Sequence, residues 1–385
     1  MDSTLINSTL KNKDIILDII KKNPKSQCNI KWNPLPEKVD YDIEVSAEDG
    51  GDMISEFDTF TLYVVKSWAK TFNNNLKPIE NALIGLLLPP KYTMLRVSLY
   101  REIIEAKSSL NAIPKNGIAF FDGSLTPLIA WWRPSASIKN GEELDILLEE
   151  ADNELKNGGY FINKIDDLLN ESLYHPLIPL MLMDKEQKDQ LKPMIDAFLA
   201  MEILEKLYLY KILLEKIFEN NSLPIFISKT SRSTRLCNSN LPDVHIIKKM
   251  VRSEPGYVYW DGSLNMGASN IIGEKNMKKM FPKLGGIEDF YENRLGMVRF
   301  YARFQHGAPI LQVEALFDQN KGIPDTEDFI NQVISKIILI PLQQGYPTSL
   351  VFAHKNAEIT HDDMEALIKV AGIEGELKER SMLLY

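Results

Sequence analysis

The stretch "NGIAFFDGSL", residues 116–125, sets the fold class. Ile118 to Phe121 are apolar without interruption, and the run ends on Asp122 followed by glycine. A strand apolar on both faces belongs in a sheet covered on both sides, because a solvated face would show polar residues at every second position. The stretch therefore predicts a central strand of a layered α/β fold with a carboxylate, Asp122, at its C-terminal end.

Upstream, "YTMLRVSLYREIIEAKSSLNAI" (92–113) repeats Leu95, Leu99, Ile103, Ala106 and Leu110 at helical spacing. Before it, "YDIEVSAED" (41–49) alternates Tyr41, Ile43, Val45 and Ala47 on one strand face, with Asp49 on the same parity. Asp49 is expected to end that strand, "GGDM" (50–53) to turn, and "FTLYVVKSWAKTF" (60–72) to return as a hairpin. Downstream, 143–219 reads as mostly helical. Its last helix, "MIDAFLAMEILEKLYLYKILLEKIF" (194–218), is apolar all round and so is expected to be buried, here against a second subunit.

Strands are predicted for "LPIFISK" (223–229), for the antiparallel pair "GMVRFYARFQ" and "APILQVEALF", and for "TSLVFAH" (348–354). Helices are predicted for "DVHIIKKMV" (243–251), "DFINQVISKIILIPLQ" (328–343) and "THDDMEALIKVAG" (360–372), the last with Thr360 as N-cap and Asp363 at the capping-box position. The sum is a mixed β-sheet flanked by helices, with a helical insertion, in a single domain over 1–385. No repeat period is present.

The chain has 385 residues and a formal net charge of −9. That balance argues against a general nucleic-acid-coating surface, since phosphate binding is dominated by Lys and Arg, but it leaves room for a local basic groove. No apolar run approaches the ~20 residues needed to span a bilayer. The N-terminus lacks the layout of a signal peptide and reads as an amphipathic helix over 1–23. Cys28 and Cys237 have no metal spacing and suit a reducing cytoplasm without a disulfide.

Asp49 and Asp122 follow buried strands, and a glutamate, Glu102 or Glu105, lies on the intervening helix. Converging carboxylates suit hard cations such as Mg²⁺ or Mn²⁺; taken singly, Asp-Gly is a common turn dipeptide. The order of motifs separates these readings. "SAEDGGDM" with "FTLYVVKSWA", "LYREIIEAK", "IAFFDGSL", "IFISKTSRS", "NLPDVHII", "VRFYARF" with "APILQVEAL", and "GYPTSLVFAH" resemble, in sequence order, the motifs of the NurA nuclease family.

The resemblance implies an RNase H-like fold and a Mn²⁺-dependent nuclease, with Mg²⁺ an alternative and two ions expected. Its substrate would be single- and double-stranded DNA, cut as an exonuclease on ends and an endonuclease on single strands. It further implies end resection in double-strand-break repair with a HerA-type hexameric ATPase, and a homodimer, for which 143–220 is a candidate interface. Carried over by motif, Asp49, Glu105 and Asp122 are metal ligands, with Asp243 and His354 as further ligands and Lys229 and Tyr346 near the scissile phosphate. Spacing to the DGSL strand favours Glu105 over Glu102. Glu48 departs from the pattern, standing where the family usually has an apolar residue.

Lys229, Arg232 and Arg235 form a basic cluster expected to line the DNA path. Arg299, Tyr301 and Arg303 share one strand face and form a candidate ladder on DNA, with an ordinary solvated face as the alternative. The second DGSL, at 261–264, follows "YVYW" and reads as a turn. The alternative function is a catalytically inactive DNA-binding or regulatory subunit of the translocase. A glycosidase with paired carboxylates is poorly supported, as nothing suggests an aromatic sugar cleft.

Overall fold

The computed structural model describes residues 8–15, 28–38, 42–57, 60–72, 76–87, 92–130, 195–273 and 281–373, with a few isolated positions besides. Its strands, in chain order, are β1 (Val45–Glu56), β2 (Thr61–Phe72), β3 (Ile79–Leu87), β4 (Ile118–Asp122), β5 (Leu223–Ser228), β6 (Gly256–Val258), β7 (Leu264–Met266), β8 (Leu295–Arg303) and β9 (Leu311–Asp318). The main helices are α1 (Thr93–Leu110), α2 (Leu125–Ile129), α3 (Ile195–Glu219), α4 (Asp243–Met250), α5 (Ala268–Ile272), α6 (Thr326–Ile337), α7 (Thr348–Ala357) and α8 (His361–Val370).

The strands form one mixed sheet in the order β3-β2-β1-β4-β5-β9-β8-β6, with β7 also on β8. β1, β4 and β5 run parallel, while β1-β2-β3 and β5-β9-β8 are antiparallel. β4 is central and Ile118 to Phe121 are buried, as the apolar run requires. On one face Phe121 and Phe226 pack against Leu99, Ile103, Leu207 and Leu214 of α1 and α3. On the other, Ala47, Phe120 and Ile227 pack against Ile330, Ile334, Leu350 and Ala353 of α6 and α7. This is the helix-flanked mixed sheet that the sequence predicts, and it is consistent with an RNase H-like organisation.

Four expectations are corrected. β1 does not stop at Asp49: it pairs with β2 from Val45↔Phe72 to Glu56↔Thr61. Gly50 and Gly51 are strand residues where neighbours approach the backbone closely. A Cβ on Gly50 would lie 2.1 Å from Glu105 Oε1, and one on Gly51 would lie 2.3 Å from the Ala357 carbonyl oxygen. Glycine in a strand interior marks such an approach as readily as it marks a turn.

"TSLVFAH" is helical, not extended. It forms the start of α7 after Pro347, with Leu350, Ala353 and Ala357 buried at helical spacing. α3 is buried by its own chain, against α1 and the sheet, and needs no second subunit for that purpose. Finally, Cys28 and Cys237 are joined in a disulfide across a separation of 209 residues. Their pairing is set by the tertiary path: the segment after Cys28 reaches the sheet at the Asn33↔Tyr257 bridge on β6.

Of the expected N-terminal helix over 1–23, residues 8–15 are helical and exposed and most of the remainder lies outside the described residues. Nearly all of the expected insertion before residue 195 lies outside them too. Among the described residues no helix is long and apolar enough to cross a membrane.

Candidate metal centre

Parallel pairing of β1 with β4 runs from Val45↔Ile118 to Glu48↔Phe121. One further step sets Asp49 beside Asp122, and strand alternation turns Asp49 to the face of Ala47, toward α7. Because "TSLVFAH" is a helix, His354 comes up from α7 against this pair. Ligand atoms of Asp49, Asp122 and His354 all lie within 4.8 Å of one another. His354 Nδ1 is 2.8 Å from Asp49 Oδ2, and the Gly50 N–H donates to Asp49 Oδ1 at 2.8 Å. Burial, followed by the charge of Asp122, raises the Asp49 pKa, against the hydrogen bonds from His354 and Gly50.

Two carboxylates and one imidazole are a donor set that fits a divalent ion of intermediate hardness such as Mn²⁺. The local charge fits as well: two neighbouring carboxylates repel unless a cation lies between them.

Beside the trio, Lys229 Nζ lies 3.2 Å from Asp122 Oδ2 and 4.1 Å from the centroid of the Tyr346 ring. Tyr346 is buried, with its ring under Lys229 and its hydroxyl close to Asp122. Burial and the nearby Asp122 push its pKa far upward.

Glu105 lies next to this trio and outside it. It reaches β1 from the α1 side, against Gly50, and pairs with Arg101 at 3.3 Å. Burial raises its carboxyl to about 8, with the charge of Asp49 adding and Arg101 opposing. Glu102 turns instead to Lys206 of α3 at 3.2 Å, so of the two helix glutamates Glu105 is the one at the site. Glu48 is buried on the same face as Gly50, and its Oε2 has no partner among the described residues. Burial, then Glu105, Asp49 and Asp122, raise its pKa well above the usual range.

Asp243 does not join the trio. It is fully buried and accepts from Leu236 N (3.1 Å), Cys237 N (3.0 Å) and Tyr301 Oη (2.9 Å), so its oxygens organise the loop before α4. The expected DNA ladder is also corrected, because β8 is buried along its whole length. Arg299 pairs with Glu314 at 2.7 Å, Tyr301 donates to Asp243, and Arg303 donates to the Ala308 carbonyl at 2.8 Å. In the basic cluster, Arg235 donates to the carbonyls of Ile271, at 2.8 Å, and Ile272, whereas Arg232 is exposed.

Sequence reasoning missed Glu314. This buried β9 carboxylate accepts from Ser124 Oγ (2.9 Å), Leu125 N (2.7 Å), Arg299 Nε (2.8 Å) and Gln312 Nε2 (2.8 Å). It thereby fixes the Ser-Leu of the DGSL at 122–125. The signal was present as a lone acid inside the apolar "APILQVEALF". At the second DGSL, Asp261 is exposed, and Ser263 closes a turn by accepting from Trp260 N at 2.9 Å.

The chain has relatives among known proteins. Residues 44–359 match the NurA domain family model. The DNA double-strand break repair nuclease NurA of Sulfurisphaera tokodaii is 25% identical over 355 residues, covering 91% of this chain and 87% of that protein. The crystal structure of the NurA nuclease from Sulfolobus solfataricus superposes with a TM-score of 0.64 at 18% identity, covering 97% of each chain. A crystal structure of NurA with manganese gives 0.56 at 16% identity, covering 94% of this chain and 98% of that one. With most of its length matched by the family model, and with its motifs in order on the corresponding fold, the chain belongs to the NurA family.

Proposed function

We propose that this protein is a divalent-metal-dependent DNA nuclease whose ion is held by Asp49, Asp122 and His354. The observation that carries the reading is the convergence of those three side chains, from two strands and a helix, on one point. Manganese, present in the related NurA crystal structure, fits two carboxylates and an imidazole; Mg²⁺ and a second ion are left to metal titration.

The ion, when bound, supplies Lewis-acid stabilisation of the charge that builds on phosphate oxygens. The chain's own groups do the rest. Asp49 fixes the His354 ring through the 2.8 Å contact, which orients the imidazole. Lys229, half-exposed over the Tyr346 ring, places a point charge where a phosphate would lie beside Asp122. Glu105, whose carboxyl burial raises to about 8 without an ion, would be drawn to its charged form by a cation held beside Asp49. Arg101 holds Glu105 in place.

The relatives' names support action at DNA double-strand breaks. Exonucleolytic cutting of ends, endonucleolytic cutting of single strands, a homodimeric state, a cytoplasmic location and partnership with a HerA-type ATPase belong to the same proposal. The test is digestion of labelled linear DNA with Mn²⁺, with Mg²⁺ and with EDTA. Wild type should cut only with metal, and Asp49→Ala and Asp122→Ala should lose about a hundred- to a thousandfold, the scale of removing a principal electrostatic stabiliser. Equal digestion by all three proteins would sink the assignment.

A further inference from the structure

The segment that leaves β5 beside Asp122 alternates in a way the motifs do not explain. Lys229 contacts Asp122 at 3.2 Å, Ser231 donates to Gln312, Ser233 donates to Asp243 at 3.4 Å, and Arg235 donates to carbonyls at the end of α5. Between them, Ser228, Thr230, Arg232 and Thr234 make no side-chain hydrogen bond or ion pair among the described residues. The odd positions tie the segment down, and the even positions keep their hydroxyls and guanidinium uncommitted.

All four even positions line a groove of about 590 Å³, together with Ser231, Ser233 and Arg235 of the same segment and with Gly123, the residue after Asp122, Ser124 and Thr126. Three hydroxyls and one guanidinium in a row are donors, and no aromatic side chain lines the groove among the described residues. Donors without a stacking surface suit a sugar-phosphate backbone rather than bases. The seven residues 228–234 reach at most about 25 Å, enough for a few nucleotides.

We propose that Ser228, Thr230, Arg232 and Thr234 form a backbone-reading ladder that holds one nucleic-acid strand and leads it to Asp49 and Asp122. The proposal rests on the nuclease reading and adds its substrate track. Arg232 pairs with one phosphate. The three hydroxyls donate to phosphate or sugar oxygens, so the strand is held without sequence preference. With a single uncommitted cation, the salt dependence of this track is shallow.

The test measures binding of a labelled single-stranded oligonucleotide by fluorescence anisotropy in EDTA, where no cutting occurs, across a salt series. Arg232→Ala should weaken binding on the order of tenfold and lower the log–log salt slope by about 0.7, the value for one phosphate on a single strand. Arg232→Lys should keep the slope. The double variant Thr230→Val/Thr234→Val should weaken binding several-fold with the slope unchanged, and oligonucleotides of different sequence should bind alike. Wild-type binding by both Arg232→Ala and the double valine variant, in a protein that still cuts DNA with Mn²⁺, overturns the ladder and leaves the nuclease reading standing. A wild type that neither binds nor cuts DNA overturns both.

Discussion

At Glu105 the balance of charge and burial makes a measurable statement about pH. Its carboxyl, ordinarily at 4.5, rises to about 8 in the fold, chiefly through burial. Between those two values the folded state keeps a proton that the unfolded state has released. Unfolding therefore gains on folding as pH rises through that window, and the contribution levels off above about 8. The metal-free protein should lose thermal stability from pH 5 to pH 8, and Glu105→Gln should flatten that slope; an unchanged slope would mean that Glu105 does not carry the shift. Asp49 and Asp122 stand close enough to repel each other. Their mutual repulsion is relieved by a cation, so Mn²⁺ should raise the wild-type melting temperature and leave Asp122→Asn nearly unmoved. A full rise in the variant would place the ion elsewhere.

Single elements explain why these residues meet. β1 brings Asp49 to Asp122 because it pairs in parallel with β4. α7 brings His354 because its apolar residues follow the helical period. α1 brings Glu105, and its register on α3 is pinned by Arg96–Glu202 at 2.6 Å and Lys107–Glu205 at 2.8 Å, both buried. The glycine pair after Asp49 is the point where α1 and the end of α7 close on β1 from opposite faces. Gly51→Ala would place its methyl against the Ala357 carbonyl, a backbone atom that cannot swing aside. It should cost about 1–3 kcal/mol, the usual range for overpacking, and displace α7 with His354. Chemical denaturation measures the first effect and Mn²⁺ affinity the second; wild-type values for both would show that the close approach is unimportant.

Across the whole molecule, the Cys28–Cys237 bond ties the segment before β1 to the loop that follows the proposed ladder. Closing so long a loop restricts the unfolded chain, an effect of typically about 2–4 kcal/mol. Reductant should therefore shift the urea midpoint of the wild type downward, while Cys28→Ser/Cys237→Ser should start low and not respond to reductant. A wild type insensitive to reductant would mean that the bond contributes nothing to stability. The molecule also reconciles a net charge of −9 with a nucleic-acid substrate. Several of its cations are spent on buried partners, such as Arg96, Lys107, Arg299 and Arg303, and the proposed DNA track needs little free positive charge.

The amino-acid order by itself determined strands β2, β4, β5, β8 and β9 and helix α1, because apolar runs and helical spacing are local signals: β4 and α1 could be read directly. It also placed Asp49, Asp122 and His354 on recognisable motifs, and its preference for Glu105 over Glu102 agrees with the glutamate that α1 brings to β1. The tertiary structure decided what depends on contacts between distant segments. Gly-Gly after Asp49 has one local meaning as a turn and another inside a strand, and only the neighbours α1 and α7 choose between them. Asp243 and the Arg299–Tyr301–Arg303 face carry the residue types of a site, yet buried partners on other elements take up their hydrogen bonds. The two cysteines carry no spacing signal across 209 residues. Periodicity reports which face of an element is apolar; which polar group faces it is settled only when the chain has folded.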